Sequence, residues 1–190
     1  MLQLSVIQPI GLGTSFIDYP DRESHAVVVY FCGCEQGCHT CHNPLLQDWL
    51  YGSVLQDYEF EAQVYHALDR HRTNKLVLTG GDPLYHHNII AVREFLLKNQ
   101  HKIDIAIYTG YDIHYVKEHK ITGYRFLKCG TYDYRMRQQP EKTNTRFVLA
   151  SENQKLYNRY GHCISRAGVY YFGGTSWIIK LKHWLQELFH

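Results

Sequence analysis

Four of the six cysteines in this chain, Cys32, Cys34, Cys38 and Cys41, fall within ten residues, directly after the apolar run Ala26-Val27-Val28-Val29-Tyr30-Phe31. A β-branched and aromatic run that stops at a Cys/Gly segment reads as a buried strand feeding a loop, so the cysteines stand just beyond a strand's C-terminal end. Six cysteines in a short secreted chain would suggest disulfides, but such crowding suits a metal site in a reducing cytosol better. Cys129 and Cys163 are isolated from the group and from each other.

The same kind of run recurs. Lys75 to Thr79, Ile103 to Tyr108, Tyr124 to Lys128 and Thr145 to Leu149 are short enough for strands. Between them Glu59 to Arg70 is rich in helix formers, Asn88 to Lys98 places its apolar residues around helical turns, and Asp112 to Glu118 begins a shorter helix. Alternation of strand and helix predicts parallel βαβ units in an α/β fold, with ligands collected at the strands' C-terminal ends. Periodicity alone leaves an open sheet and an incomplete barrel both available.

At 190 residues the chain fits one compact domain spanning 1–190. Hydrophobic residues at 45% and charged residues at 20% exclude a disordered or fibrous class. The formal charge of +2 comes with no basic stripe, which argues against direct nucleic-acid binding. No basic N-terminal region leads into a long apolar stretch, and nowhere do about 18 apolar residues run together, so neither export nor membrane insertion is expected and the cytoplasm is the expected compartment. The polar segment Thr131 to Thr143 reads as a surface loop. Within 176–190, Trp177, Leu181, Trp184, Leu185 and Leu188 form one apolar stripe of a C-terminal amphipathic helix, for core packing or for docking a partner.

The cysteine segment contains C-x3-C-x2-C at Cys34, Cys38 and Cys41. Thiolates are soft ligands suited to iron–sulfur clusters, and a short loop with glycines can wrap three sulfurs around one cluster. Three cysteines on a four-iron cluster leave one iron without a protein ligand, where a substrate can bind; a pure electron carrier normally fills that place with a fourth cysteine. The rivals are a structural Cys3His zinc site completed by His39 or His42, and an inert or reactive thiol group. Zinc ribbons usually have two knuckles, and no second Cys/His pair of suitable spacing follows.

C-x3-C-x2-C after the first strand resembles the signature of the radical S-adenosylmethionine superfamily. The following His42-Asn43-Pro44 resembles the glycyl-radical-enzyme activases, in which Cys-His-Asn-Pro commonly follows the cluster loop. A second match, Leu78-Thr79-Gly80-Gly81-Asp82-Pro83-Leu84, looks like that family's glycine-rich motif, which usually ends in Glu-Pro and has Asp-Pro in some anaerobic ribonucleotide reductase activases. Alone, Gly-Gly-Asp-Pro is an ordinary turn. Glycines let a backbone approach a ligand closely, and a carboxylate can pair with the methionine ammonium. Ile107-Tyr108-Thr109-Gly110-Tyr111 and Phe147 to Gln154 are similar to segments of the reductase branch. Tyr108 and Thr109 either offer stacking and hydroxyl contacts beside the nucleoside or pack at a strand end. Ser151, Asn153 and Gln154 are alternatively caps of a following helix.

The resemblance covers roughly residues 10 to 160 and implies an incomplete (β/α) barrel with a [4Fe-4S] cluster at its mouth, held by Cys34, Cys38 and Cys41. S-adenosyl-L-methionine would chelate the free iron, with Gly80, Gly81, Asp82 and Pro83 at its methionine end and Lys128 near its carboxylate. It implies a radical S-adenosylmethionine oxidoreductase: an external one-electron donor such as flavodoxin reduces the cluster, and cleavage to methionine and a 5′-deoxyadenosyl radical leads to a glycyl radical on the large subunit of an anaerobic ribonucleoside-triphosphate reductase. The cofactor carries the bond breaking, so no side chain need act as acid or base. The alternatives are activation of a pyruvate formate-lyase-like enzyme, or a non-enzymatic zinc or iron–sulfur interaction module. Thr40 departs from the superfamily pattern, which often has an aromatic residue there. Cys32 is expected to pack on the strand, with an alternative ligand set left open, and most of the other histidines, including the His86-His87 pair, to be surface or loop residues.

Overall fold

The computed structural model describes residues 3–6, 14–22, 25–139 and 146–172. The elements are β1 (Gln3–Val6), β2 (Thr14–Ser15), β3 (Ala26–Phe31), β4 (Ser53–Gln56), α1 (Asp57–Arg70), β5 (Lys75–Gly80), α2 (Ile89–Asn99), β6 (Asp104–Tyr108), α3 (Ile113–Glu118), β7 (Phe126–Cys129), β8 (Arg146–Val148), β9 (Lys155–Asn158) and β10 (Val169–Tyr171). Short 3-10 turns cover Pro44–Gln47, Trp49–Tyr51 and Tyr134–Met136.

Eight strands form one sheet in the order β4-β1-β3-β5-β6-β7-β9, with β2 paired to β3. Its centre, β3, β5, β6 and β7, is parallel, and the flanking strands β1, β4 and β9 are antiparallel. The chain therefore has the expected α/β class.

Register divides the central strands into two buried faces. Val27, Val29, Phe31, Leu76, Leu78, Ile105, Ile107 and Leu127 pack with Phe60, Val64 and Leu68 of α1, with Val92, Phe95 and Leu96 of α2, and with Val116 of α3. The alternate residues Ala26, Val28, Val77, Ala106 and Phe126 pack instead against Tyr19, Phe147, Leu149, Leu156 and Phe172. Strands covered on both faces lose the polar alternation of an exposed sheet, which is why they are visible in the sequence as unbroken apolar runs. Helix α3 starts where Asp112 accepts a hydrogen bond from the Tyr115 amide at 2.9 Å.

Two expectations are corrected. The run Thr145 to Leu149 does not continue the parallel series: Arg146–Val148 pairs antiparallel with β10 in a separate two-stranded sheet, laying Phe147 over the second buried face. Ser151, Asn153 and Gln154 introduce a strand, β9, rather than a helix. Their side chains are used laterally: the Gln154 amide donates to Gly130 O at 2.9 Å and the Asn153 amide to Thr131 O at 2.9 Å. The amphipathic stripe within 176–190 lies outside the described residues, as do 140–143 of the expected polar loop. Among the described residues no helix is long and apolar enough to cross a membrane.

Candidate metal and cofactor centre

Four loops meet at the C-terminal ends of β3, β5, β6 and β7, joined mainly by backbone hydrogen bonds. The Gly81 amide donates to Phe31 O at 2.8 Å and the Asp82 amide to Gly33 O at 2.9 Å, which ties the glycine loop to the start of the cysteine loop. The amides of Gly33 and Cys34 donate to Leu46 O and Gln47 O at 2.9 and 3.1 Å, so the cysteine loop returns onto its own exit. On the other side the Thr109 amide donates to Lys128 O at 3.0 Å and the Gly130 amide to Tyr111 O at 3.0 Å. Parallel strands end side by side, and their loops are neighbours for that reason.

Cys34, Cys38 and Cys41 are free thiols, each half-buried, on this irregular loop. The remaining three are placed differently. Cys32 is fully buried with its amide on Ser5 O at 3.0 Å, Cys129 is buried in the helix-side core, and Cys163 is exposed with its Sγ 3.5 Å from Ser165 O. Burial pushes the Cys34 thiol up to about 11, against a hydrogen bond from the Gln36 backbone that lowers it. Such a thiol is a ligand only once a metal displaces its proton. Among the described residues no three His, Cys, Asp or Glu side chains converge as a group that could hold one metal ion. His39 and His42 rest instead against the rings of Tyr134 and Tyr132 at 5.4 Å each. Cys34, Cys38 and Cys41 nevertheless share one accessible loop and are soft donors of the type that suits an iron–sulfur cluster.

The glycine pair has a steric cause. Gly80 has φ +115°, and a Cβ there would stand 2.5 Å from Phe31 N; a Cβ on Gly81 would stand 2.3 Å from Leu46 O and 2.7 Å from Gly33 O. Only glycine lets the loop close onto the cysteine loop. Asp82, in contrast, is wholly buried. Its carboxylate accepts from the Leu84 amide at 2.9 Å, the Gly110 amide at 2.9 Å and the Thr109 hydroxyl at 2.9 and 3.0 Å. The side chain read as a partner for an ammonium thus faces the β6 turn. Burial raises its carboxyl to about 6, while those hydrogen bonds and the Lys128 charge pull it down. Pro83 is buried beside it.

Tyr108 and Thr109 also spend their hydroxyls inside the protein, Tyr108 on Asp18 O and Thr109 on Asp82. The half-buried Lys128 is directly opposite Tyr108 in register, with its Nζ 5.8 Å from the centre of that ring. Burial lowers the lysine's pKa, and the charges of Asp82, Cys129, Cys38 and Cys34 oppose that fall. Tyr30 and Thr79, paired in register on β3 and β5, occupy the same face at the same end of the sheet. Thr40 is exposed.

Other residues of the site carry no local signal. Asn88, read only as the start of a helix, is fully buried and donates through Nδ2 to Cys32 O at 2.9 Å and Asp82 O at 3.3 Å, joining both loops. Glu35 accepts from the Tyr111 hydroxyl and lies 3.8 Å from Nδ1 of His86, which is exposed as expected. Each partner is distant in the chain, and no spacing in the sequence announces it.

The 4Fe-4S single cluster domain family matches residues 23–157, more than half of the chain and all four of these loops. The chain belongs to that family. A curated relative, the anaerobic ribonucleoside-triphosphate reductase-activating protein of Pasteurella multocida (strain Pm70), is 29% identical over 102 residues. That alignment covers 50% of this chain and 63% of the relative.

Proposed function

We propose that this member of the 4Fe-4S family is a radical S-adenosylmethionine activase whose partner is an anaerobic ribonucleoside-triphosphate reductase. The observation that carries the reading is the placement of three free, half-buried thiols, Cys34, Cys38 and Cys41, on a loop whose start is hydrogen-bonded to the Gly80-Gly81 loop at the ends of parallel strands. The name of the Pasteurella relative supports the choice of partner. The parallel strands β3, β5, β6 and β7 belong, in this reading, to an incomplete barrel, and the compartment is the cytoplasm.

When bound, a reduced four-iron cluster supplies the electron that cleaves S-adenosylmethionine and so begins hydrogen removal from a glycine of the partner. The chain's own residues bind and orient. Cys34, Cys38 and Cys41 would hold the cluster through their thiolates and would leave one iron open to the cofactor. Gly80 and Gly81 let the backbone approach its methionine end, Pro83 stiffens the turn, and Asp82 acts by holding that turn to Thr109 and Gly110. Lys128 meets the carboxylate, and the ring of Tyr108 borders the nucleoside. A one-electron donor of the flavodoxin kind supplies the reducing equivalent.

The test mixes reduced protein, S-adenosylmethionine and reductase without oxygen and reads the electron paramagnetic resonance spectrum. A glycine-centred doublet should appear only with all components, and replacing the reductase's radical glycine with alanine should abolish it. Cofactor cleavage without the doublet overturns the choice of partner. An intact, reducible cluster that cleaves no cofactor overturns the enzyme reading itself.

A further inference from the structure

The geometry points to Gln36 as a positioning residue that braces the cluster loop against Gly110, so that the loop carrying Cys34 and the loop carrying Gly80 and Gly81 are held as one unit. The inference rests on the function proposed above for what the unit is for, while the brace itself is a property of the protein alone.

Gln36 lies midway between Cys34 and Cys38, and its half-buried side chain reaches across the mouth of the sheet. Its Oε1 accepts from the Thr131 hydroxyl at 3.1 Å, and the same hydroxyl stands 3.2 Å from Gly110 O. Its aliphatic part fills the place where a side chain at residue 110 would be, since a Cβ there would come within 2.5 Å of Gln36 Cγ and 2.8 Å of Cδ. Gly110 has an ordinary backbone conformation, so its lack of a side chain serves this close approach rather than the turn.

Gly110 is also the point where the glycine loop is tied, because its amide donates to Asp82 Oδ2 at 2.9 Å. The Asp82 amide returns to Gly33 O at 2.9 Å. A closed circuit results: Gly33 to Asp82, Asp82 to Gly110, Gly110 to Gln36, and Gln36 back along the chain to Gly33, with Cys34 inside it. Thr131 is itself secured, its carbonyl accepting from the Asn153 amide at 2.9 Å and its neighbour Gly130 accepting from the Gln154 amide at 2.9 Å. A ligand loop fixed on both sides of Cys34 sets where a cluster sits relative to the glycine loop, and a cofactor that must touch both depends on that separation.

Gln36→Ala removes the brace, Thr131→Val removes its hydroxyl partner, Gly110→Ala displaces the Gln36 side chain, and Thr131→Ser restores the hydroxyl. In the metal-free protein, hydrogen exchange of the backbone amides between Cys34 and Cys38 should quicken in the first three variants and match the parent in Thr131→Ser. After anaerobic reconstitution the same three should keep their iron, show an altered electron paramagnetic resonance signal on adding S-adenosylmethionine, and bind it roughly five- to tenfold more weakly, the scale of one lost hydrogen bond. Unchanged loop exchange in both Gln36→Ala and Thr131→Val overturns the brace. Quickened exchange with parental cofactor affinity and spectrum overturns its positioning role. A parent protein that takes up iron but binds no S-adenosylmethionine, with the exchange effect present, leaves the brace standing and removes the function proposed for the site.

Discussion

The hydroxyl of Thr109 donates to the Asp82 carboxylate, 2.9 Å from Oδ1 and 3.0 Å from Oδ2, at a point where Asp82 is wholly buried and Thr109 almost so. An acidic side chain closed off from water is tolerable because the amides of Leu84 and Gly110 meet it as well. The carboxylate is therefore a knot between the β5 and β6 loops, and its loss should be felt in stability before it is felt in chemistry.

Replacing Asp82 with Ala leaves two buried amides and one hydroxyl without their acceptor. Unpartnered buried groups of this kind cost about 2–4 kcal/mol in sum. Urea unfolding of the metal-free protein at pH 7 should show that loss, and Thr109→Val a smaller one, about 1 kcal/mol. A midpoint for Asp82→Ala equal to the parent's would contradict the enclosed geometry.

The same burial gives a pH dependence of definite sign. The Asp82 carboxyl is raised from 3.8 to about 6 in the folded chain, so between those values the folded state binds a proton that the unfolded state has released. Its contribution to stability is fully present below the unfolded value and is lost as pH rises through about 6. Burial is the cause, and the facing groups are the Leu84 and Gly110 amides, the Thr109 hydroxyl and the Lys128 ammonium, all of which pull the other way. A rise from 3.8 to about 6 corresponds to about 3 kcal/mol. Subtracting the Asp82→Asn unfolding profile from the parental one, metal-free, should reveal a decline of that order between pH 4 and pH 6; a rising difference would contradict the sign.

Each of Cys34→Ala, Cys38→Ala and Cys41→Ala should abolish or sharply reduce iron taken up on anaerobic reconstitution. Cys32→Ala, Cys129→Ala and Cys163→Ala should keep it, because the first two thiols are buried and the third is exposed on a different strand connection. Iron and sulfide analysis with the visible absorption spectrum reads the result. Retention in any of the first three, together with loss in any of the last three, would reassign the ligands.

Gly81→Ala places a methyl group 2.3 Å from Leu46 O and 2.7 Å from Gly33 O, both backbone atoms with no rotamer to yield. Overpacking of that kind costs about 1–3 kcal/mol or more. Gly37→Ala meets nothing within 4 Å, although Gly37 has φ +59°, so it should suffer only the smaller conformational strain. Thermal unfolding of the two metal-free variants side by side should rank Gly81→Ala clearly below Gly37→Ala.

The central βαβ series was legible because its causes are local. Ala26–Phe31 and Lys75–Gly80 are buried on both faces and so appear as apolar runs, and α1 and α2 carry helical spacing along their own length. Strands β1, β4 and β9, with sequences QLSV, SVLQ and KLYN, are as short as β7 and are interrupted or bounded by polar residues, so no unbroken apolar run marks them. Arg146–Val148 has a strand's composition, but composition does not say which sheet a strand will join, and here it pairs with β10.

By itself the sequence determined the chemistry available to this protein: three thiols at C-x3-C-x2-C spacing after a strand, and a pair of glycines after the next. Those are properties of residues a few positions apart, fixed by reach along the chain. Only the tertiary structure decided where each side chain spends its polar atoms. Thr109 is 27 residues from Asp82, Asn88 is 56 from Cys32, and Thr131 is 95 from Gln36. Such pairs meet because parallel strands bring their C-terminal loops together, and whether a carboxylate there faces a ligand or a neighbouring turn depends on which surfaces pack and exclude water.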